Sequence, residues 1–128
     1  MKANQILTAA AAALLTLSAC QNNSNNNMQN PFLVESTLQH GAFPFDQLRL
    51  EHYKPAFEEG IRQHDEEINA IVVNRAMPTF ENTIEALDRS GMLLNRVSSI
   101  FYNLLECDGT EEMQQLSEEI QPMMSEHS

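Results

Sequence analysis

The chain is poor in several things at once: it has no tryptophan, two cysteines, four glycines, and seven lysines and arginines against eighteen aspartates and glutamates. Each shortage excludes something. A formal charge of −11 leaves no basic surface of the kind nucleic-acid binding requires, so nucleic acid is not an expected partner. The acidic residues are spread along the sequence and read as solubilising helix faces. Two cysteines, Cys20 and Cys107, cannot build a disulfide framework. Cys107 sits between Glu106 and Asp108, where neighbouring negative charge disfavours the thiolate, so it reads as structural or incidental. No apolar run approaches the about 20 residues of a membrane-spanning helix. A Gly-rich phosphate loop, a nucleophile elbow, a CxxC pair and an HExxH pair are all missing.

What is present begins with a short apolar stretch. Lys2 followed by Ile6 to Leu17 has the charge and length of a signal peptide, which assigns residues 1–19 to a cleaved segment. It ends in Leu17-Ser18-Ala19-Cys20, which resembles the lipobox of bacterial lipoproteins. That resemblance implies lipidation of Cys20, attachment to a membrane surface without spanning it, and, with Gln21 following, the periplasmic face of the outer membrane. Gln21 to Asn30 is mostly Asn, with nothing to bury, so residues 20–30 read as a lipidated cysteine and solvated tether. Residues 31–128 read as one helical domain.

Within that domain the spacing predicts an all-α chain of three helices in up-down order joined by short loops. Pro31 to Gln47 has no period and reads as an arm whose aromatics, Phe32, Phe43 and Phe45, are pinned into the domain. Asp46 is placed to cap a short turn around Leu48 and Leu50. The first helix starts near Tyr53 or Lys54, with Pro55 tolerated in its first turn. It buries a stripe through Phe57, Ile61, His64, Ile68 and Ile71 or Val72. Gly60 inside it costs about 1 kcal/mol relative to Ala, which predicts a close approach there. Thr79 is the expected cap of a second helix running from Phe80 to Glu106, on the order of 40 Å long. Its seam is Ile84, Leu87, Gly91, Leu94, Ser98, Phe101 and Leu105. Either Asp108 or Thr110 caps a third helix whose stripe is Met113, Leu116, Ile120 and Met123, with Pro122 expected to kink or end it. No Gly or Asn follows to cap its last turn, so the sequence reads as cut at Ser128.

The titratable residues do not assemble into a catalytic pattern. His40, His52, His64 and His127 have no zinc-ligand spacing; His64 with Glu67 comes nearest, but His64 belongs to the buried stripe while Glu67 leans toward solvent. The adjacent pairs Glu58-Glu59, Glu66-Glu67, Glu111-Glu112 and Glu118-Glu119 diverge on a helix and read as solvated faces. Seven methionines read as flexible core.

Five stretches nonetheless carry a specific likeness: Asn30-Pro31-Phe32, Pro44-Phe45-Asp46, His52 to Glu58, Pro78 to Ile84, and Ser125-Glu126-His127-Ser128. In this order they resemble the N-terminal part of the thimet-oligopeptidase family of zinc oligopeptidases. The resemblance implies a segment of a larger, two-lobed helical body around a channel, with these helices as a wall or lid that admits short peptides. It further implies zinc held by an HExxH helix and a downstream Glu, with the first Glu of that motif activating water. Some members release dipeptides from peptide C-termini. None of the zinc, base or substrate motifs has a matching position here. No catalytic and no metal-binding residue is therefore carried over, and zinc is expected in the full-length family and not on this chain. The chain then reads as the leading fragment of a lipid-anchored peptidyl-dipeptidase, with short peptides as partners of a catalytic domain missing from it. The alternative is a stand-alone helical lipoprotein, an interaction module without catalysis. Apolar helix faces left uncovered predict self-association or molten behaviour of the isolated chain.

Overall fold

A computed structural model describes residues 30–128, which are all-α, with no strand among the described residues. The stretch expected to be a signal peptide, Cys20 and the expected tether before Asn30 lie outside the described residues.

The arm is anchored at its first residue. Asn30 is buried; its amide donates to the carbonyl of His52 at 2.8 Å, and its Oδ1 accepts from the N–H of Phe32 at 3.1 Å. This turn inserts Phe32 between Phe43 and Tyr53, at ring-centroid separations of 4.8 and 5.5 Å. Phe32 is thus core and Phe43 half-buried, but Phe45 remains 56% exposed, contrary to the expectation that all three are pinned. Three short 3-10 turns follow: Gln39–Gly41, Phe45–Gln47 and Leu50–His52. Asp46 lies within the second and caps nothing; the His52 ring does the capping, its Nδ1 accepting from the N–H of Arg49 at 3.1 Å.

Helix α1 (Tyr53–Val72) begins where the sequence predicts and keeps Pro55 in its first turn, where a missing N–H costs nothing. Tyr53, Ala56, Phe57 and Gly60 are its buried face. After the loop, Thr79 caps as expected: its Oγ1 accepts from the N–H of Asn82 at 3.2 Å, while Asn82 Oδ1 accepts from the N–H of Thr79 at 2.8 Å.

The second helix is not continuous. Phe80–Glu85 forms a π turn, α2 is only Ala86–Arg89, and the chain then breaks before α3 (Met92–Asp108). Gly91 causes the break. Its φ of 69° is left-handed, which glycine alone adopts without penalty. Ser90 stops α2 by bonding back to the carbonyl of Leu87 through both its N–H, at 3.1 Å, and its hydroxyl, at 2.7 Å. The long seam is accordingly buried only from Gly91 onward, at Gly91, Leu94 and Phe101, with Val97 buried beside it, while Ile84 and Leu87 stay 52% and 53% exposed. With 17 residues, α3 is about 25 Å long and not the 40 Å of an uninterrupted helix.

Helix α4 (Glu111–His127) is capped by Thr110, whose Oγ1 accepts from the N–H of Met113 at 3.3 Å; Asp108 instead ends α3. Pro122 does not end α4, which runs five residues further to His127. Pro122 and Glu118, whose carbonyl loses its usual partner, are both exposed, so water can satisfy that carbonyl.

The paired residues give the directions of the helices. Tyr53 and Phe57 meet Phe101, Gly60 meets Leu94 and His64 meets Gly91, so α3 runs antiparallel to α1. Lys54 meets Glu119 and His64 meets His127, so α4 runs parallel to α1. The core is Phe32, Tyr53, Ala56, Phe57, Leu94, Val97, Phe101 and Ile120. The Phe57 ring stands edge-on to Phe101 at 5.6 Å and 89°, a favoured aromatic arrangement. At Gly60 an added Cβ would lie 3.0 Å from the Cα of Leu94, which is the close approach its sequence position predicts.

Candidate functional site

A polar cluster that joins three helices lies where α1, α3 and the end of α4 meet, and Gly91 organises it. Its N–H donates to Glu67 Oε2 at 2.7 Å, so a carboxylate from α1 holds the break in place. One turn earlier on α1, the His64 ring covers the same glycine, 3.2 Å from where a Cβ would stand. Glu67 is exposed, as its sequence position suggests, and one of its carboxylate oxygens is in addition a structural acceptor.

His127 completes the group from 63 residues away. Its Nε2 lies 2.8 Å from His64 Nδ1, with the rings edge-to-face at 5.0 Å. Its Nδ1 lies 3.2 Å from Asp65 Oδ1, and its side chain is only 11% exposed. An ionised carboxylate only accepts, so the His127 proton belongs on Nδ1; Nε2 is then the acceptor for the Nδ1–H of His64. The result is an Asp65–His127–His64 chain ending over the Gly91 backbone. Among the described residues no hydroxyl or thiol is bonded to either ring. The sequence placed His64 on the buried stripe and missed its partner. The chain-terminal Ser-Glu-His-Ser text was the visible clue, but helical period does not say which residue 63 positions away a histidine meets.

An open groove of about 760 Å³ runs beside this cluster, walled by Phe32 and Leu33 of the arm, Glu59 and Gln63 of α1, and Leu93 and Arg96 of α3. Glu59 is held ionised there. The Arg62 guanidinium, 2.6 Å away, lowers its pKa from 4.5 to about 2, burial opposes this, and the Gln63 amide at 2.7 Å adds to the lowering. Such a carboxylate cannot donate a proton near neutral pH, and the Glu58-Glu59 pair is not an acid/base couple. Glu119 of another adjacent pair is bonded to Lys54 at 2.8 Å, which raises the lysine pKa. Cys107 is exposed, and Cys20, the proposed lipidation site, lies outside the described residues. Among the described residues no three His, Cys, Asp or Glu side chains converge as a metal-ligand set, and no helix is long and apolar enough to cross a membrane.

Over 97 residues the chain is 47% identical to the dipeptidyl carboxypeptidase of Escherichia coli strain K12, a match that covers 76% of this chain. The chain is a relative of the dipeptidyl carboxypeptidases. The dipeptidyl carboxypeptidase of Salmonella typhimurium is 46% identical over 89 residues, or 70% of this chain. The chain spans 14% and 13% of the length of these two dipeptidyl carboxypeptidases. No protein-family profile matches the chain. Because the match to dipeptidyl carboxypeptidase leaves out only about a quarter of this sequence, it takes in helices of the packed core and not one short motif alone.

Proposed function

We propose that residues 31–128 are the N-terminal helical wall or lid of a zinc-dependent peptidyl-dipeptidase that releases dipeptides from the C-termini of short peptides. The observation that carries the reading is 47% identity to dipeptidyl carboxypeptidase over 97 residues, 76% of this chain. On this reading the segment shapes access to a channel and the chemistry belongs to a catalytic domain outside this sequence. A catalytic zinc takes three protein ligands and keeps a fourth position for water. The described residues do not fit it: His64 and His127 are the only two imidazoles that meet among them, and the Asp65 carboxylate lies against the other ring nitrogen of His127, Nδ1. No step of hydrolysis is therefore assigned to this chain.

The exposed apolar residues between α1 and α3 support a wall that is covered by a larger body. Val72, Val73, Met77, Phe80, Ile84, Leu87 and Met92 are each more than half exposed within 21 consecutive residues, a concentration unusual for a surface that faces only water. Cys20 serves, in the same proposal, as the lipid anchor to the periplasmic face of the outer membrane. Fragment complementation tests the function. A dipeptidyl carboxypeptidase lacking its matching segment is expected to regain dipeptide release when mixed with this chain, while the chain alone releases none. Failure of the chain to bind the truncated enzyme refutes the wall assignment. For the anchor, Cys20→Ser is expected to move the protein from the membrane to the soluble fraction.

A further inference from the structure

The exposed apolar residues between α1 and α3 are not equivalent, because one group of them is carried on a backbone that polar side chains hold in place. We propose that residues 74–83 form a rigid knob whose Phe80 ring is the anchor that seats in an apolar pocket on the remainder of the peptidase. This rests on the wall assignment and adds to it the residue that makes the contact.

Asn82 fixes the knob. Its Nδ2 donates to the Met77 carbonyl at 2.9 Å, and its Oδ1 accepts from the N–H of Thr79 at 2.8 Å and from the Thr83 hydroxyl at 2.9 Å. Its own N–H donates to Thr79 Oγ1 at 3.2 Å. A capping box accounts for two of these bonds; the other two tie down the chain on either side of Phe80. Upstream, Asn74 Oδ1 accepts from the N–H of Ala76 at 3.0 Å. The backbone is thus set by local polar contacts, yet the apolar side chains on it bury little. Met77 is 83% exposed and Phe80 67%. An aromatic ring held away from the core gains little from this chain, whereas in a desolvated pocket it is a favoured interface group. Because the loop is already ordered, docking costs it little further conformational freedom.

Length and charge identify the occupant. The matched segment covers 14% of the Escherichia coli dipeptidyl carboxypeptidase, so most of that relative has no counterpart here to meet the knob. A second copy of this chain fits less well. It carries the same formal charge of −11 and the same Glu81 beside Phe80, which opposes a tight pairing of two knobs.

The test is a chimera, the Escherichia coli enzyme carrying the 97 matched residues of this chain in place of its own. Oxidation of Met77 by dilute hydrogen peroxide, read by peptide mass spectrometry, reports whether the knob is covered. Met77 is expected to react at least roughly 10-fold more slowly in the chimera than in the isolated chain. Phe80→Asp in the chimera is expected to restore most of that reactivity, while in the isolated chain it leaves helicity and the urea midpoint unchanged. A chimera that releases dipeptides but oxidises Met77 as fast as the isolated chain, or that keeps Met77 protected in Phe80→Asp, overturns the anchor and leaves the wall assignment standing. A folded chimera that releases no dipeptides overturns the wall assignment, and the anchor with it.

Discussion

Gly91→Ala separates a broken second helix from a continuous one by the sign of its effect. Were residues 80–106 a single helix, replacing an interior glycine with alanine would stabilise the protein by about 1 kcal/mol. The structure demands the opposite. Gly91 has a φ of 69°, and a left-handed backbone costs an L-residue about 1–2 kcal/mol. The added Cβ also lies 3.2 Å from the His64 ring, which is tied to His127 and has limited room to yield. Together these give a loss of about 2 kcal/mol. Gly41→Ala is the control. Its φ is 66° but nothing lies within 4 Å of the new Cβ, so it bears the backbone cost without the ring displacement. Urea unfolding followed by circular dichroism at low micromolar concentration is the assay. The midpoint of Gly91→Ala is expected to fall, by more than that of Gly41→Ala, with an unchanged slope. A midpoint raised by Gly91→Ala would refute the break and everything built on it.

The remaining expectations concern packing, pH and association. Gly60→Ala gains about 1 kcal/mol of helix propensity but places a Cβ 3.0 Å from the backbone of Leu94; overpacking costs about 1–3 kcal/mol, so a lower urea midpoint is expected. Ser98→Ala removes a buried hydroxyl that has no partner among the described residues and should raise stability by about 1 kcal/mol in the same assay. The folded pKa of Glu59 lies near 2 against 4.5 unfolded, so its contribution is complete above 4.5 and is lost as pH falls from 4.5 toward 2. Glu59→Gln should flatten that part of a stability–pH curve, and salt should shrink it in the wild type because the Arg62 partner is half exposed. Phe80→Ser with Leu87→Ser, both at exposed positions, should lower the sedimentation-average mass of the isolated chain without reducing its helicity.

Local chemistry made much of the fold legible. The Thr79 cap, the Tyr53 start with Pro55 in the first turn, the Gly60 approach and the anchoring of Phe32 each depend on residues close in sequence or on one steric fact. The break in the second helix is hidden in the sequence because apolar spacing of three and four continues through Gly91 without interruption. Periodicity registers which side chains share a face, not whether the backbone between them stays helical. Arg89-Ser90-Gly91 held the competing cue: a basic last-turn residue, then a glycine in the position that ends helices. Pro122 erred in the other direction, since a proline on a solvent face leaves a carbonyl that water can reach. The polar cluster was the least legible part. The i, i+3 spacing of His64 and Glu67 is visible in the sequence, but their common target, the Gly91 backbone, and the arrival of His127 are tertiary facts fixed by α1 lying between α3 and α4.

The central claim, that this chain is part of a peptidyl-dipeptidase, is tested most directly by the mass of the native protein. An antibody raised against residues 92–108 would detect it in the membrane fraction of the source cells. The account predicts a species several times larger than the 14.5 kDa of this sequence, co-purifying with release of dipeptides from peptide C-termini. A single species near 14.5 kDa, with no such activity, would contradict it.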